Sequence, residues 1–210
     1  ARPPCAHCRT GSALLCDNRP MQDSPSPSAA EGAPRRPTWS FVLAHPAHFL
    51  GLGAGSGLSP KAPGTAGTLW AWAVWVLLQA AGLSPVWGGV LVVVSIPVGW
   101  WACTVSARDL RMSDPGCVVW DEVAAFWLML WVLEIVWAPA PWSRVAWLWQ
   151  LAAFASFRFF DAVKPQPVHW ADQVFKGGGW RGGWGIMWDD LVAAACALAV
   201  LAVGHAFLPR

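Results

Sequence analysis

The sequence predicts an all-α protein, a bundle of about six helices that is membrane-embedded or membrane-associated. Hydrophobic residues make up 56% of the 210 residues and charged residues only 12%, about half the share of roughly 25% found in soluble domains. The 18 Trp residues support a membrane location, because the indole ring favours the membrane–water interface. The apolar runs cover residues 39–52, 69–81, 86–105, 117–137, 144–160 and 186–207.

The apolar runs leave the number of membrane spans open. The run at residues 86–105 is long enough to cross a bilayer, which takes roughly 20 residues. The central helix of a partly soluble bundle is also apolar on every side, so a bundle that only contacts the membrane has a similar pattern. Positive residues flank several runs on both sides, and the positive-inside rule therefore assigns no orientation.

The chain divides into a polar tail and an apolar domain. Residues 1–40 are rich in Pro, Ser, Arg and Gly, which predicts a disordered tail before a helical domain at residues 41–210. Cys5, Cys8 and Cys16 in the tail lack the second ligand pair that a zinc site needs. The net charge of +2 gives no reason to expect nucleic acid as a partner.

A stretch rich in glycine and proline covers residues 51–68. This composition predicts a loop, because both residue types disrupt regular helices. Free backbone N–H groups, several hydroxyl groups and Lys61 would suit a phosphate group. The stretch lacks the ending of a Walker P-loop, and a flexible linker or a tight helix–helix connection is the alternative interpretation.

Two adjacent acids, Asp121 and Glu122, lie in the first turns of the apolar run at residues 117–137. A buried carboxylate without a partner costs several kcal/mol, which favours a bound cation. Favourable charge at a helix N-terminus would explain one exposed acid but does not require two. Adjacent residues differ by about 100° around a helix, so either both acids reach a site between two faces or one supports the other.

A second acid pair, Asp189 and Asp190, stands near the start of the last apolar run. It follows a second glycine-rich stretch at residues 176–185, which also predicts a loop. Helix capping would account for one aspartate but not for two such pairs in one chain. The repeated arrangement therefore favours two halves of one site.

Three charged residues near the end of another run, Arg158, Asp161 and Lys164, are spaced three apart and form one stripe on a helix that Pro165 ends. A simple ladder of ion pairs has the same spacing. Carboxylate oxygens favour hard cations, so the acids of the chain predict Mg²⁺, and the two basic groups would suit phosphate.

Four stretches together resemble one known family. They are residues 55–68, 119–122, 158–165 and 185–190. In this order they resemble the phosphatidylglycerophosphatase A family, over roughly residues 41–207. The resemblance implies an all-helical fold with one central helix surrounded by others. It also implies Mg²⁺-dependent removal of phosphate from phosphatidylglycerophosphate, giving phosphatidylglycerol, at the bacterial inner membrane. Residues 180–183 look inserted relative to the family, and the tail has no counterpart in it.

The residues and the resemblance together give a hypothesis for the site. The predicted metal ligands are Asp121, Glu122, Asp161, Asp189 and Asp190, with Asp161 as a ligand or a brace. The predicted catalytic residues are these five acids and Lys164. The predicted substrate-binding residues are Ser59, Lys61, Gly64, Thr65 and Arg158. The attacking group is either a water or one of the carboxylates, and the sequence leaves that choice open.

Two other functions remain as alternatives. One is a non-enzymatic membrane protein whose buried acids bind cations, and the glycine-rich stretches beside basic residues count against it. The other is a related phosphatase for a different lipid or a soluble phosphomonoester, which the sequence does not exclude. The expected partners are the lipid substrate and membrane lipid.

Overall fold

A computed structural model describes residues 37–137 and 142–207, and every regular element in those ranges is a helix. In chain order the α-helices are α1 (Trp39–Ala44), α2 (Pro46–Gly51), α3 (Pro63–Ala80), α4 (Pro85–Leu110), α5 (Trp120–Val132), α6 (Arg144–Val163), α7 (Val168–Val174) and α8 (Gly179–Phe207). A 3₁₀ segment follows α2 at Gly53–Leu58, and a π-helical turn continues α5 at Leu133–Trp137. The all-α prediction is confirmed.

The predicted tail falls mostly outside the described residues. Positions 1–36, which include the three tail cysteines, are not described, and α1 begins within the remainder of the predicted tail. The apolar run at residues 39–52 forms two short helices, because Pro46 starts α2 immediately after the cap of α1. The other predicted runs correspond to α3, α4, α5, α6 and α8.

Local sequence explains where the long helices begin and end. Pro63 and Pro85 occupy the first turns of α3 and α4, where the missing N–H costs no hydrogen bond. The Ser143 hydroxyl accepts from a free N–H at the start of α6. That helix ends at Lys164, which has a left-handed φ of 47° and precedes Pro165, as predicted.

Helix α5 is the central helix and packs against α3, α4, α6 and α8. The buried indole of Trp120 donates its N–H to the carbonyl of Ser95 in α4 at 3.0 Å. The indole of Trp127 donates to the carbonyl of Ala71 in α3 at 2.9 Å. Because an unpaired buried donor is costly, the two bonds fix α5 against both neighbours. The central-helix arrangement that the resemblance implied is therefore present.

The prediction of a loop throughout residues 51–68 is wrong for its second half. Helix α3 already begins at Pro63, so Gly64 and Gly67 lie within a helix. A Cβ atom at Gly67 would lie 2.6 Å from the Cβ atom of Val119, at the start of α5. These glycines allow two helices to approach closely, a tertiary requirement that outweighs the low helix propensity of glycine.

The prediction of a loop at residues 176–185 holds for residues 176–178 and is wrong from Gly179 onward, for the same reason. Helix α8 begins at Gly179 and continues through the glycines that follow. A Cβ atom at Gly183 would lie 2.9 Å from the Cα atom of Thr104, so glycine allows α8 to cross α4 closely. As a result Asp189 lies about three turns into α8 rather than at its start.

The outer surface of the bundle is strongly apolar. Helices α4 and α8 are both long and apolar enough to cross a membrane. Large hydrophobic side chains are exposed on several helices, among them Leu77, Val93, Leu148 and Val203. Exposed apolar area on this scale fits contact with lipid. The structure is therefore consistent with a membrane-associated helical bundle.

Candidate functional site

Three carboxylates meet where the start of α5 faces the middle of α8. Asp121 and Glu122 lie in the first turn of α5, and Asp190 projects from α8. Each contributes an oxygen to a group in which all three atoms lie within 4.8 Å of one another. Glu122 is 9% exposed and Asp190 only 3% exposed. These three residues are called the acid cluster below.

The acid cluster has the properties of a cation site. In each of the three residues, one carboxylate oxygen is buried without a hydrogen-bond partner among the described residues. These atoms are Asp121 Oδ1, Glu122 Oε2 and Asp190 Oδ2. Buried polar atoms are normally paired, and like charges at this distance repel each other. A hard cation with oxygen ligands satisfies all three atoms, so the donor set fits Mg²⁺.

Burial and mutual repulsion alter the protonation of the cluster. Burial, followed by the charge of Glu122, raises the pKa of Asp121 well above its ordinary value. Burial, followed by the charge of Asp190, raises the pKa of Glu122 to about 8. Without a cation, protons therefore remove part of the charge at neutral pH, and a bound cation would displace them.

Arg158 borders the acid cluster from α6. Its Nη1 atom forms an ion pair with Asp161 and lies 3.8 Å from Glu122 Oε1. The same atom donates to the Thr68 hydroxyl at 3.4 Å. A Cβ atom at Gly64 would collide with Glu122 Oε1 and lie 3.2 Å from the Arg158 guanidinium. The guanidinium is thus held at the edge of the cluster, in a space that Gly64 keeps open.

Lys164 occupies the end of α6 on another side of the site. Its Nζ atom donates to Asp172 of α7 at 2.8 Å and also to Asp189 of α8. Burial alone would lower the pKa of Lys164, but the two carboxylates outweigh it and raise the pKa above its ordinary value. The lysine therefore stays charged, and it links three helices around the site.

The structure brings together only part of the predicted site. Asp121, Glu122 and Asp190 converge, while Asp161 and Asp189 are engaged in ion pairs with Arg158 and Lys164, as described above. Gly64 touches the cluster. The Ser59 hydroxyl donates to the Lys61 carbonyl at 2.8 Å. Within the described ranges, no hydrogen bond or ion pair joins Ser59, Lys61 or Thr65 to the acids.

Asp172 is the partner that the sequence interpretation missed. Its two oxygens bind Lys164 at 2.8 Å and Lys176 at 3.0 Å. The sequence places it eight residues after Lys164 and three after His169, in a short segment. The contact depends on the direction in which the chain turns between α6 and α7, which the residue pattern does not give.

These features define a class of protein: an all-helical bundle with an apolar exterior, in which buried carboxylates suited to a cation lie beside an arginine and a lysine suited to an anion. Comparison with known proteins agrees. The family model described as Phosphatidylglycerophosphatase A matches residues 49–205. The chain therefore belongs to the phosphatidylglycerophosphatase A family and is a phosphoric monoester hydrolase.

Individual relatives support the assignment. Phosphatidylglycerophosphatase A of Escherichia coli (strain K12) is 36% identical over 164 residues, which are 78% of this chain and 86% of that protein. The protein of the same name from Haemophilus influenzae is 35% identical, over 79% of this chain and 92% of its own length. A Bacteroides thetaiotaomicron protein, provisionally named a phosphatidylinositol-3-phosphatase, is 35% identical over 81% of this chain and 97% of its own. No solved structure matches the chain at a significant level.

Proposed function

We propose that the protein is a Mg²⁺-dependent lipid phosphatase of the bacterial inner membrane that hydrolyses the phosphomonoester of phosphatidylglycerophosphate to phosphatidylglycerol and phosphate. The observation that carries this proposal is the acid cluster next to Arg158, with three oxygens that lack a hydrogen-bond partner in the described part of the chain. The names of the relatives from E. coli and H. influenzae support the choice of substrate. The apolar α4 and α8 support the membrane location.

Asp121, Glu122 and Asp190 are the proposed ligands of the ion. When bound, Mg²⁺ would offset the charge of the cluster and stabilise the negative charge that develops on the phosphoryl oxygens. Asp161 and Asp189, which the sequence placed in the same ligand set, have a different proposed task. They hold the side chains of Arg158 and Lys164 in place through their ion pairs.

Arg158 and Lys164 are the proposed anchors of the phosphate group. The planar guanidinium of Arg158 can donate two parallel N–H groups to phosphate oxygens, and Lys164 adds a second positive charge. The segment from Ser59 to Thr65, with Lys61 and Gly64, covers the approach to α3 and its first turn, and would contact the phosphate with its N–H groups and hydroxyls. Gly64 has the strongest support in this segment, because it touches both Glu122 and Arg158.

The attacking group is either a water or a carboxylate of the cluster. In both routes the bond between phosphorus and the glycerol oxygen breaks, and that oxygen gains a proton. Attack by a carboxylate would leave a phosphorylated enzyme that acid quenching traps and hydroxylamine releases. Rapid quenching with labelled substrate distinguishes the routes, because direct attack by water leaves no label on the protein.

The substrate assignment is tested by comparing phosphomonoesters with purified protein in detergent. We expect phosphate release with Mg²⁺ to be most efficient for phosphatidylglycerophosphate, measured as kcat/KM against phosphatidylinositol-3-phosphate and glycerol 3-phosphate. The name of the B. thetaiotaomicron relative favours phosphatidylinositol-3-phosphate as the second candidate. A higher kcat/KM for either of the other compounds would overturn the substrate assignment while leaving the phosphatase assignment intact.

A further inference from the structure

An aromatic pocket lies where the start of α8 meets α4, outside the acid cluster. It has a volume of about 340 Å³ and is lined by Trp100, Phe175, Trp180, Arg181 and Trp184. The Trp100 ring stands edge-on to those of Trp180 and Trp184, with ring centroids 5.5 Å apart in both pairs. The Trp100 indole also donates to the Trp180 carbonyl at 2.7 Å. These contacts hold three tryptophan side chains of the pocket together, and the pocket opens widely to the surface.

Arg181 gives the aromatic pocket a positive charge. Its guanidinium donates to the Val174 carbonyl at 3.4 Å, and none of the ion pairs among the described residues includes it. An arginine that no carboxylate neutralises is suited to a phosphate oxygen. Apolar walls with one such cation complement a phospholipid near its phosphodiester, where negative charge lies next to the acyl chains.

A polar cavity lies beside the aromatic pocket. This cavity has a volume of about 150 Å³, and Phe175 lines both spaces. Asp172 and Lys176 also line the cavity, and Asp172 binds Lys164 of the site at 2.8 Å. The polar cavity therefore shares one lining residue with the aromatic pocket and another with the ion pair of Lys164.

The spacing along α8 suits a single lipid. Arg181 precedes Asp189, which binds Lys164, by eight residues, which corresponds to about 12 Å along the helix axis. The long side chains of Arg181 and Lys164 can each cover part of this distance, and a glycerol unit between two phosphate groups can cover the remainder. Tryptophan at the start of an apolar helix also favours the membrane–water interface, where a lipid headgroup would lie.

We infer that the aromatic pocket binds the phosphodiester and adjoining glycerol of the same lipid whose phosphomonoester lies at Arg158 and Lys164. The inference rests on the proposed function for the identity of that lipid. Arg181 contacts the phosphodiester, and Trp180 and Trp184 contact the start of the acyl chains. The pocket thus selects a phospholipid over a soluble phosphomonoester.

Arg181→Gln tests the inference, with Arg108→Gln as the matched control. The Arg108 side chain is 69% exposed near the end of α4, pairs with Asp109 at 2.9 Å and does not line the pocket. We expect Arg181→Gln to raise KM for phosphatidylglycerophosphate in mixed micelles about tenfold, because the variant loses one charge-assisted hydrogen bond to the lipid. The value of kcat should not change. Hydrolysis of glycerol 3-phosphate should not change, and neither should any parameter of Arg108→Gln.

Trp180→Ala provides a second variant, with Trp87→Ala as its control. The two tryptophans are similarly exposed, at 55% and 66%, and Trp87 lies at the opposite end of α4 from the pocket. A rise in KM for Trp180→Ala alone supports a lipid pocket. An equal rise in KM for a pocket variant and its control would mean that both residues only attract the protein to the micelle surface, and this result would overturn the inference. An unchanged KM in Arg181→Gln would also overturn it.

Binding of the product separates this inference from the proposed function. Phosphatidylglycerol keeps the phosphodiester and lacks the phosphomonoester, so the pocket should retain it even if no hydrolysis occurs. Native mass spectrometry of the detergent-purified protein should show bound phosphatidylglycerol with the wild type and several-fold less with Arg181→Gln. Equal retention by the two proteins would overturn the inference. Absence of phosphate release by the wild type would instead refute the proposed function.

Discussion

Glu122 combines burial with repulsion from Asp190, so its environment changes its affinity for protons. Its pKa rises from an ordinary 4.5 to about 8 in the folded protein without a cation. The native state then binds the proton more tightly than the unfolded chain, and the free energy of unfolding falls as pH rises through this window. Below pH 4.5 both states are protonated and the contribution of Glu122 is fully present.

This linkage predicts a pH dependence that Mg²⁺ removes. With EDTA, the thermal midpoint of the detergent-solubilised protein should fall between pH 5 and pH 8, and Glu122→Gln should flatten that slope. Excess Mg²⁺ should raise the midpoint most at the alkaline end, because it competes with protons for the same oxygens. A wild-type midpoint that rises with pH in EDTA would contradict the account of the cluster.

Gly64 provides a second prediction at the scale of one residue. A methyl group there would collide with Glu122 Oε1, so Gly64→Ala should lower phosphatase activity and weaken the response to Mg²⁺. Gly204→Ala is the matched control, since no heavy atom lies within 4 Å of a Cβ at that helical position. The measurement is the phosphatase activity of the two variants at several Mg²⁺ concentrations. Full activity in Gly64→Ala would show that the site does not require a glycine at this position.

The sequence predicts the residue types of the site and the meeting of its two acid pairs, but not which acids of the pairs form the cluster. Both acid pairs were singled out because two carboxylates in an apolar run need an explanation. The separation of Asp189 from Asp190 follows from the helix, since neighbours point about 100° apart. One therefore faces α5 and the other faces Lys164 at the end of α6. The packing of α5, α6 and α8 determines that Asp190 joins the acid cluster and that Asp189 binds Lys164.

At the scale of the elements, glycine decides how closely α4 and α8 cross. Gly183 faces Thr104 at a distance that excludes a methyl group. We expect Gly183→Ala to destabilise the protein by about 1–3 kcal/mol, the usual effect of overpacking. Gly204→Ala in the same helix should be stabilising by about 0.5–1 kcal/mol. Thermal unfolding in detergent measures both changes in stability. If both substitutions were stabilising, α4 and α8 would have room for a methyl group where they cross, which would contradict the close packing at Gly183.

The long helices could be predicted from apolar runs, and the end of α6 from Pro165. The glycine-rich segments could not, because composition reports only a local preference. Glycine lowers helix propensity by roughly 1 kcal/mol per residue relative to alanine, whereas the packing of α3 and α8 against their neighbours requires its small size. Tertiary packing therefore reversed the local preference at Gly67 and Gly183.

At the scale of the whole molecule, the apolar exterior predicts the behaviour of the protein during extraction. Helices α4 and α8 could both cross a bilayer, and large side chains such as Leu148 and Val203 are exposed. We expect the protein to sediment with membranes, to resist an alkaline carbonate wash and to require detergent for extraction. Release by carbonate alone would indicate a bundle that only contacts the membrane surface.

In the proposed function, phosphate release depends on a cation bound by the acid cluster. The most direct measurement is the Mg²⁺ dependence of phosphate release from phosphatidylglycerophosphate by the wild type, Asp190→Asn and Glu134→Gln. Glu134→Gln is the control, because the Glu134 carboxylate is not part of the acid cluster and accepts from Gln79 at 3.3 Å. We expect EDTA to abolish release by the wild type and Glu134→Gln and Mg²⁺ to restore it. Asp190→Asn should lose at least about 100-fold in activity at equal Mg²⁺. Full activity in EDTA, or an unchanged Mg²⁺ dependence in Asp190→Asn, would contradict the claim.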